Sequence, residues 1–348
     1  MRIASVGRAF PGHYYTQEEL IAEFGRVFRG RMHNLERLAE IHRNARVGGR
    51  HLALPLEAYE KLDSFGAAND AFIANAVDLA ELSVTDALER AGLAPRDVDA
   101  IFSVSVTGIA APSTEARLAG RIALRPDVKR VPIFGLGCVA GTAGIARAAD
   151  YVKAYPDQVA VLLSVELCSL TFQRGDFSIP NVVASGLFGD GSAAAVVVGA
   201  ERPEPGPRVV ATRSVMYPDT ERVMGWDVTG DGFRIVLSGA VPDVVRRHVR
   251  RDVDRFLADQ GLALDDVDLL VCHPGGPKVL EALEDALDRP RDDFAITWRS
   301  LRELGNLSSA SVLMVLRETL EAGHPPGTRG LMLSMGPGFC SELALLEW

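Results

Sequence analysis

Apolar residues recur at helical spacing from Asp78 to Arg90 and stop at Gly92, and Asp99-Ala-Ile-Phe-Ser-Val-Ser-Val106 then reads as a buried strand. The same order returns downstream, with a helix predicted from about Asp243 to Gln260, ended by Gly261, and a strand at Asp268-Leu-Leu-Val-Cys-His273. The two junctions are alike in wording as well as in kind. Gly92-Leu-Ala-Pro-Arg-Asp-Val-Asp99 and Gly261-Leu-Ala-Leu-Asp-Asp-Val-Asp268 share six of eight positions at an offset of 169. Helix, glycine and strand often follow one another in α/β proteins, so chance is the alternative; further correspondences favour an internal duplication.

Carried forward, that offset sets Gly137-Cys138, which opens a small-residue helix, opposite Gly305-Asn306, which opens Asn306-Leu-Ser-Ser-Ala-Ser-Val-Leu-Met-Val-Leu316. Each half then closes with a glycine turn and an apolar strand, Phe188 to Val198 in one and Met335 to Leu345 in the other. The prediction is an α/β fold of two duplicated halves. Their seam falls in Glu201-Arg-Pro-Glu-Pro-Gly-Pro-Arg208, where three prolines bar helix and central strand, which gives domains 1–203 and 204–348. Met1 to Phe10 reads as a first strand, with no apolar leader before it. A ligand crevice is expected where the halves meet, at strand ends and helix N-termini.

Composition narrows the class. The chain has 348 residues, 47% of them hydrophobic and 24% charged, and a net charge of -9 from 37 basic and 46 acidic side chains. No basic cluster can track phosphates, so nucleic acid is not expected as a partner. No apolar run reaches the ~20 residues of a membrane span. Cys138, Cys168, Cys272 and Cys340 stand apart with no zinc-ligand spacing, so no metal is expected and a reducing cytoplasm fits best.

Three residues carry candidate chemistry. Cys138 lies at a strand-to-helix turn after Arg130-Val-Pro-Ile-Phe-Gly135, with its sulfur near a helix N-terminus, a place that favours thiolate; a buried structural thiol is the alternative. His273 ends a strand and enters Pro274-Gly-Gly-Pro277, whereas His13, His33, His42, His51, His248 and His324 sit in charged or loop-like stretches that read as solvated surface. Cys272 then points to the opposite sheet face, into the core. Asn306 precedes its helix, where an N-cap role is the plain alternative to an amide donor facing the thiol across the pseudo-twofold axis.

This Cys, His, Asn order and its flanks resemble the type III polyketide synthases, the chalcone synthase-like branch of the thiolase-fold condensing enzymes, over essentially the whole chain. The motifs are Gly135-Leu-Gly-Cys138-Val-Ala-Gly, Leu187-Phe-Gly-Asp-Gly-Ser-Ala-Ala194, Cys272-His273-Pro-Gly-Gly, Gly305-Asn306-Leu-Ser-Ser-Ala310 and Ser334-Met-Gly-Pro-Gly338. The resemblance implies a thiolase-like αβαβα core and a homodimer without a permanently bound cofactor. It implies an enzyme that condenses malonyl-CoA onto an acyl-CoA starter held on Cys138, with His273 and Asn306 as enolate donors. It also implies gating phenylalanines at Phe188 and Phe233, and a cavity lined by Thr107, Cys168, Thr171, Gly336, Pro337 and Gly338, with Ala111 reaching into the partner's cavity.

Arg37, Arg43 and Arg46 lie where relatives hold CoA phosphates, without a secure match, and a solvated helix face explains them equally well. Val165 to Phe172 and Arg50 to Leu56 look like bacterial members that make alkylpyrones or alkylresorcinols, and the small Ala111 and Cys168 leave room for a fatty acyl-CoA starter. The competing readings are a β-ketoacyl-carrier-protein synthase III performing one condensation, a papain-like cysteine hydrolase, and a non-catalytic scaffold of the same fold.

Overall fold

A computed structural model of the chain describes residues 1–28 and 35–348. The expectation for His33 lies outside these residues. The first half runs β1 (Arg2–Ala9), β2 (His13–Thr16), α1 (Gln17–Val27), α2 (Leu35–Asn44), β3 (Gly49–Leu52), α3 (Phe65–Ala91), β4 (Ala100–Ser105), α4 (Thr114–Ala119), β5 (Lys129–Phe134), α5 (Ala140–Ala154), β6 (Val159–Leu167), α6 (Ile179–Leu187) and β7 (Asp190–Val198). The second runs β8 (Arg208–Met216), β9 (Met224–Thr229), β10 (Gly232–Leu237), α7 (Val241–Ala258), β11 (Leu269–Cys272), α8 (Pro277–Leu287), α9 (Ala295–Leu304), α10 (Ser311–Ala322), β12 (Arg329–Gly336) and β13 (Cys340–Glu347).

The main sheet has the order β11-β12-β13-β8-β1-β7-β6-β4-β5, so the two halves meet at β1 and β8 and unroll outward in the same sequence. Pairing directions repeat as well: β7 is antiparallel to β1 and β6, with β6 parallel to β4, while β13 is antiparallel to β8 and β12, with β12 parallel to β11. Only β5 lacks a counterpart. Alternate residues of each strand face opposite layers, the period of two doing the sorting. Ala193, Ala195 and Val197 of β7 pack with Met332 and Ala344 around α5 and α10. Ala194, Val196 and Val198 pack outward on α3, and Leu331, Leu333, Leu343 and Leu345 pack outward on α7 and α8. The layers are therefore helix, half-sheet, paired α5 and α10, half-sheet, helix. With both faces covered, the central strands β6 and β7 are buried along their whole length rather than alternating.

The duplication reaches single hydrogen bonds. Gly92 and Gly261 both cap their helices at positive φ, 69° and 71°. Leu93 N–H donates to the Leu88 carbonyl at 2.9 Å and Leu262 N–H to Leu257 at 2.9 Å. Asp99 accepts the Val159 N–H at 2.8 Å, as Asp268 accepts the Arg329 N–H at 2.8 Å. Each aspartate thus ties its helix-to-strand junction to the neighbouring strand.

Two expectations need correction here. α3 begins at Phe65, well before Asp78, because the small alanines of its first turns blur a periodicity that still buries Phe72, Ala76, Leu79 and Ala80. The counterpart of Cys138 is also not Asn306. A 3-10 turn over Gly137–Val139 leads into α5 and a 3-10 turn over Ser308–Ala310 leads into α10, which sets Cys138 opposite Ser309.

Candidate active site

Strand β5 and the turn after it deliver Cys138 to the start of α5, in the middle layer. Gly137 holds φ 59°, and a Cβ there would lie 2.6 Å from Pro337 Cδ, so the loop between β12 and β13 seats directly against the nucleophile's turn. Gly336 backs the same turn, where a Cβ would meet the Val139 nitrogen at 2.9 Å. Val271 faces the middle layer and Cys272 the outer core, so the alternation along β11 turns His273 inward, on the side of Cys138. Asn306 precedes α10 by one turn.

Short links connect the three. Cys138 Sγ lies 3.6 Å from Ser308 Oγ. Asn306 Oδ1 accepts the Ser308 N–H at 2.8 Å, and its Nδ2 donates to the Gly275 carbonyl at 3.2 Å. Gly275 N–H in turn donates to the His273 carbonyl at 2.9 Å. Asn306 is not the N-cap of α10 or of the 3-10 turn before it; its side chain holds the N–H two residues on, as an Asx turn, while keeping an amide group beside the histidine loop. His273 Nδ1 is buried with no hydrogen-bond partner, an exception among buried polar atoms that calls for a functional reason.

The electrostatics run against the expected thiolate. Burial pushes the Cys138 thiol up to about 12, with Glu166 adding to the rise, and burial drives His273 down to about 3. Desolvation is the first cause of both shifts, and each favours the neutral form of its group.

A cavity of about 120 Å³ opens on this thiol, lined by Cys138, Ser308, Pro337, Phe188, Thr107, Cys168 and Thr171 among others. His273, Asn306, Gly336 and Gly338 are not among the residues that line it. Phe233 lines a neighbouring recess that shares Thr107 and Thr171 with the main cavity, and its ring lies 6.0 Å, centroid to centroid, from Trp226 of the main lining. Ala111 is exposed in the loop after β4 and lines neither space. Arg43 pairs with Glu18 at 2.9 Å, and Arg46 with Glu281 at 3.3 Å, both at the exposed surface. His42, expected at the surface, is fully buried against Phe24 and Ser185.

Sequence reasoning passed over several contributors. Glu166, at 0% exposure in apolar β6, accepts from Thr107 Oγ1 at 2.8 Å and from the Val106 N–H at 3.1 Å, and also from Ser309 Oγ. Burial raises its pKa. A lone carboxylate inside Val159-Ala-Val-Leu-Leu-Ser-Val-Glu-Leu167 is the signal that marks it. Trp226, Ile235 and Leu237 reach the cavity from the hairpin of β9 and β10, which Thr229-Gly-Asp-Gly232 announces as a turn.

Among the described residues no group of His, Cys, Asp or Glu can hold a metal ion, and no helix is long and apolar enough to cross a membrane.

Known proteins match this arrangement along the whole chain. Residues 1–202 match the N-terminal domain of chalcone and stilbene synthases, and residues 208–347 match the C-terminal domain. A 1,3,6,8-tetrahydroxynaphthalene synthase of Streptomyces peucetius subsp. caesius is 49% identical over 350 residues, covering 99% of this chain and 93% of that protein. A putative chalcone synthase of Bacillus subtilis (strain 168) is 36% identical over 99% of this chain and 98% of its own. The crystal structure of 1,3,6,8-tetrahydroxynaphthalene synthase from Streptomyces coelicolor A3(2), described as a bacterial type III polyketide synthase, superposes with a TM-score of 0.95 at 32% identity, covering 100% of this chain and 99% of that one.

Proposed function

We propose, since the chain belongs to the chalcone and stilbene synthase family and is a type III polyketide synthase of thiolase-like fold, that it takes malonyl-CoA as both starter and extender and releases a tetrahydroxynaphthalene. The observation that carries this reading is the small cavity, about 120 Å³, that Cys138 lines. The 49% identity to a synthase of that name supports it.

The chemistry follows from the resting charges. In loading, Cys138 Sγ attacks the thioester carbonyl as its proton passes to the His273 imidazole; the new S–C bond forms, the C–S bond to CoA breaks, and the proton leaves with the CoA thiol. In extension the malonyl carboxylate departs as carbon dioxide, and its electron pair becomes an enolate whose oxygen can accept hydrogen bonds from His273 and Asn306. The enolate carbon attacks the acyl carbonyl, the bond to Cys138 breaks, and the sulfur leaves as a thiolate that carries the charge the malonyl carboxylate brought and takes a proton from water.

A second reading keeps the fatty acyl-CoA starter and an alkylpyrone or alkylresorcinol product. It draws on the apolar wall of Leu20, Phe24 and Val27 from α1 with Leu52 and Leu56, which line the same cavity. Mass spectrometry of incubations with malonyl-CoA alone and with added acyl-CoAs separates the two. A hydroxylated naphthalene from malonyl-CoA alone is expected, and no product without a fatty starter overturns the first reading in favour of the second.

The enzyme works as a homodimer in the cytoplasm, where CoA thioesters are made. Support comes from edge strand β5, whose Val131 and Phe134 are 38% and 52% exposed, an apolar open edge that a second copy would cover.

A further inference from the structure

Arg50 is the bulkiest of the fully buried side chains, at 1% exposure, and the condensation chemistry gives it no task. From β3 its guanidinium reaches the end of α6: Nη1 donates to the Gly186 carbonyl at 2.8 Å and to Gln17 Oε1 at 2.6 Å, and Nη2 donates to the Ser185 carbonyl. Gln17 completes the clasp, its Nε2 donating to the same Gly186 carbonyl at 2.8 Å and to the His42 carbonyl at 2.7 Å. A cation suits the negative end of a helix, and Asp190 helps to keep this one charged against the cost of burial.

The clasp holds the two residues that follow. The chain leaves α6 into Phe188, which pairs with Asn306 in an isolated parallel bridge. Asn306 N–H donates to the Leu187 carbonyl at 2.9 Å, and Gly189 N–H donates to the Asn306 carbonyl at 3.0 Å. The stem of Arg50 runs along this strip. A Cβ on Gly189 would lie 3.1 Å from Arg50 Cβ, and one on Gly305 would lie 3.5 Å from Arg50 Cδ. The arginine therefore fixes the end of α6 with its head and supports the Phe188–Asn306 pair with its stem.

We propose that Arg50, aided by Gln17, is a positioning residue that sets Phe188 and the Asn306 amide relative to Cys138, so that the malonyl enolate forms within reach of the acyl thioester. The inference rests on the condensation chemistry above, but not on the identity of the starter. Lysine does not replace the fork, because its three donors radiate from one nitrogen, whereas these bonds leave from two nitrogens held apart in a rigid plane.

The test uses Arg50→Lys and Gln17→Leu in the full-length enzyme. Acylation of Cys138, followed by mass spectrometry with malonyl-CoA, is expected to stay within about twofold of wild type, since the sulfur's own turn is untouched. Condensed product per acyl-enzyme is expected to fall roughly 10²-fold for Arg50→Lys, the size of effect a misplacement of about 1 Å produces, and less for Gln17→Leu. Hydrogen exchange at the Gly189 and Asn306 amides is expected to quicken while the β6 amides stay protected. Unchanged exchange at those two amides, or acylation and condensation falling together with the folded fraction, overturns the proposal. If Arg50→Lys does not fold, Gln17→Leu decides by the same readouts. If the wild type itself never condenses, the chemistry above fails, and the exchange measurement alone still decides the positioning role.

Discussion

Cys138 Sγ and Ser308 Oγ stand 3.6 Å apart, and this contact between the two halves works against the burial that raises the thiol. Removing the hydroxyl in Ser308→Ala raises the Cys138 pKa further. Alkylation of the substrate-free enzyme by iodoacetamide at pH 8 should slow several-fold, the equivalent of about 1 kcal/mol for one hydrogen bond. The rate measured from pH 7 to pH 10 should climb with hydroxide without a plateau in either protein. A plateau near pH 7 would mean that the resting thiol is already ionised.

Asn306 has two jobs that one substitution can separate. Asn306→Asp keeps an oxygen for the Ser308 N–H but removes the amide donor, so condensation should fall roughly 10²–10³-fold with the fold retained. Asn306→Ala loses the bond to the Ser308 N–H as well and should cost about 1 kcal/mol of stability in addition. Urea melts beside steady-state rates distinguish the two, and an aspartate variant with near-normal rate would remove Asn306 from the chemistry.

Gly141 in α5 presses on the partner helix. A Cβ there would lie 2.4 Å from both the Ser309 carbonyl oxygen and Val312 Cγ1. Helix propensity alone favours alanine by about 1 kcal/mol, yet the clash with backbone should win and Gly141→Ala should destabilise by about 1–3 kcal/mol. A denaturant midpoint at or above that of wild type would show that the two helices can part without cost.

Acid should weaken the fold before it ionises the site. His42 and His273 titrate at about 3 when folded against an ordinary 6.5. Their contribution is complete above pH 6.5 and is lost as pH falls toward 3, because in that interval only the unfolded chain takes up the protons. Asp190, raised to about 6 from 3.8, acts the other way between those values, as do Glu166 and Glu342, whose carboxyls burial also raises, while His51 and His248, lowered by burial, add to the loss. Net, the melting temperature should drop steadily from pH 6.5 to pH 4, and less steeply in His42→Gln, as followed by differential scanning calorimetry. A flat profile over that range would contradict the burial argument.

Much of this was readable in the chain because the repeated junctions are built from residues whose job is local. Gly92, Asp97 and Asp99 make the same bonds as Gly261, Asp266 and Asp268, so an eight-residue likeness carried a fold-level meaning. The likeness failed where spacing was assumed constant. Loops of unequal length between the strands and the two 3-10 turns displaced the match, and Ser309 took the place read for Asn306. The charge state of Cys138 was illegible for a different reason: a helix start is written in sequence, but the depth of burial that overrides it is set by Pro337, Ser308 and Glu166, which arrive from three other elements. Phe233 and the clasp of Gln17 and Arg50 likewise depend on chain segments that meet only after folding.

The unmatched strand β5 leaves the two rims of the sheet unequal. At one rim β11 is largely buried, whereas at the other β5 is open along its length and carries Pro132, which cannot donate to a ladder. In the homodimer proposed above, two copies would join through the same β5 rim, and an isologous pairing of that kind uses up the margin in both and closes on itself instead of running on into a filament.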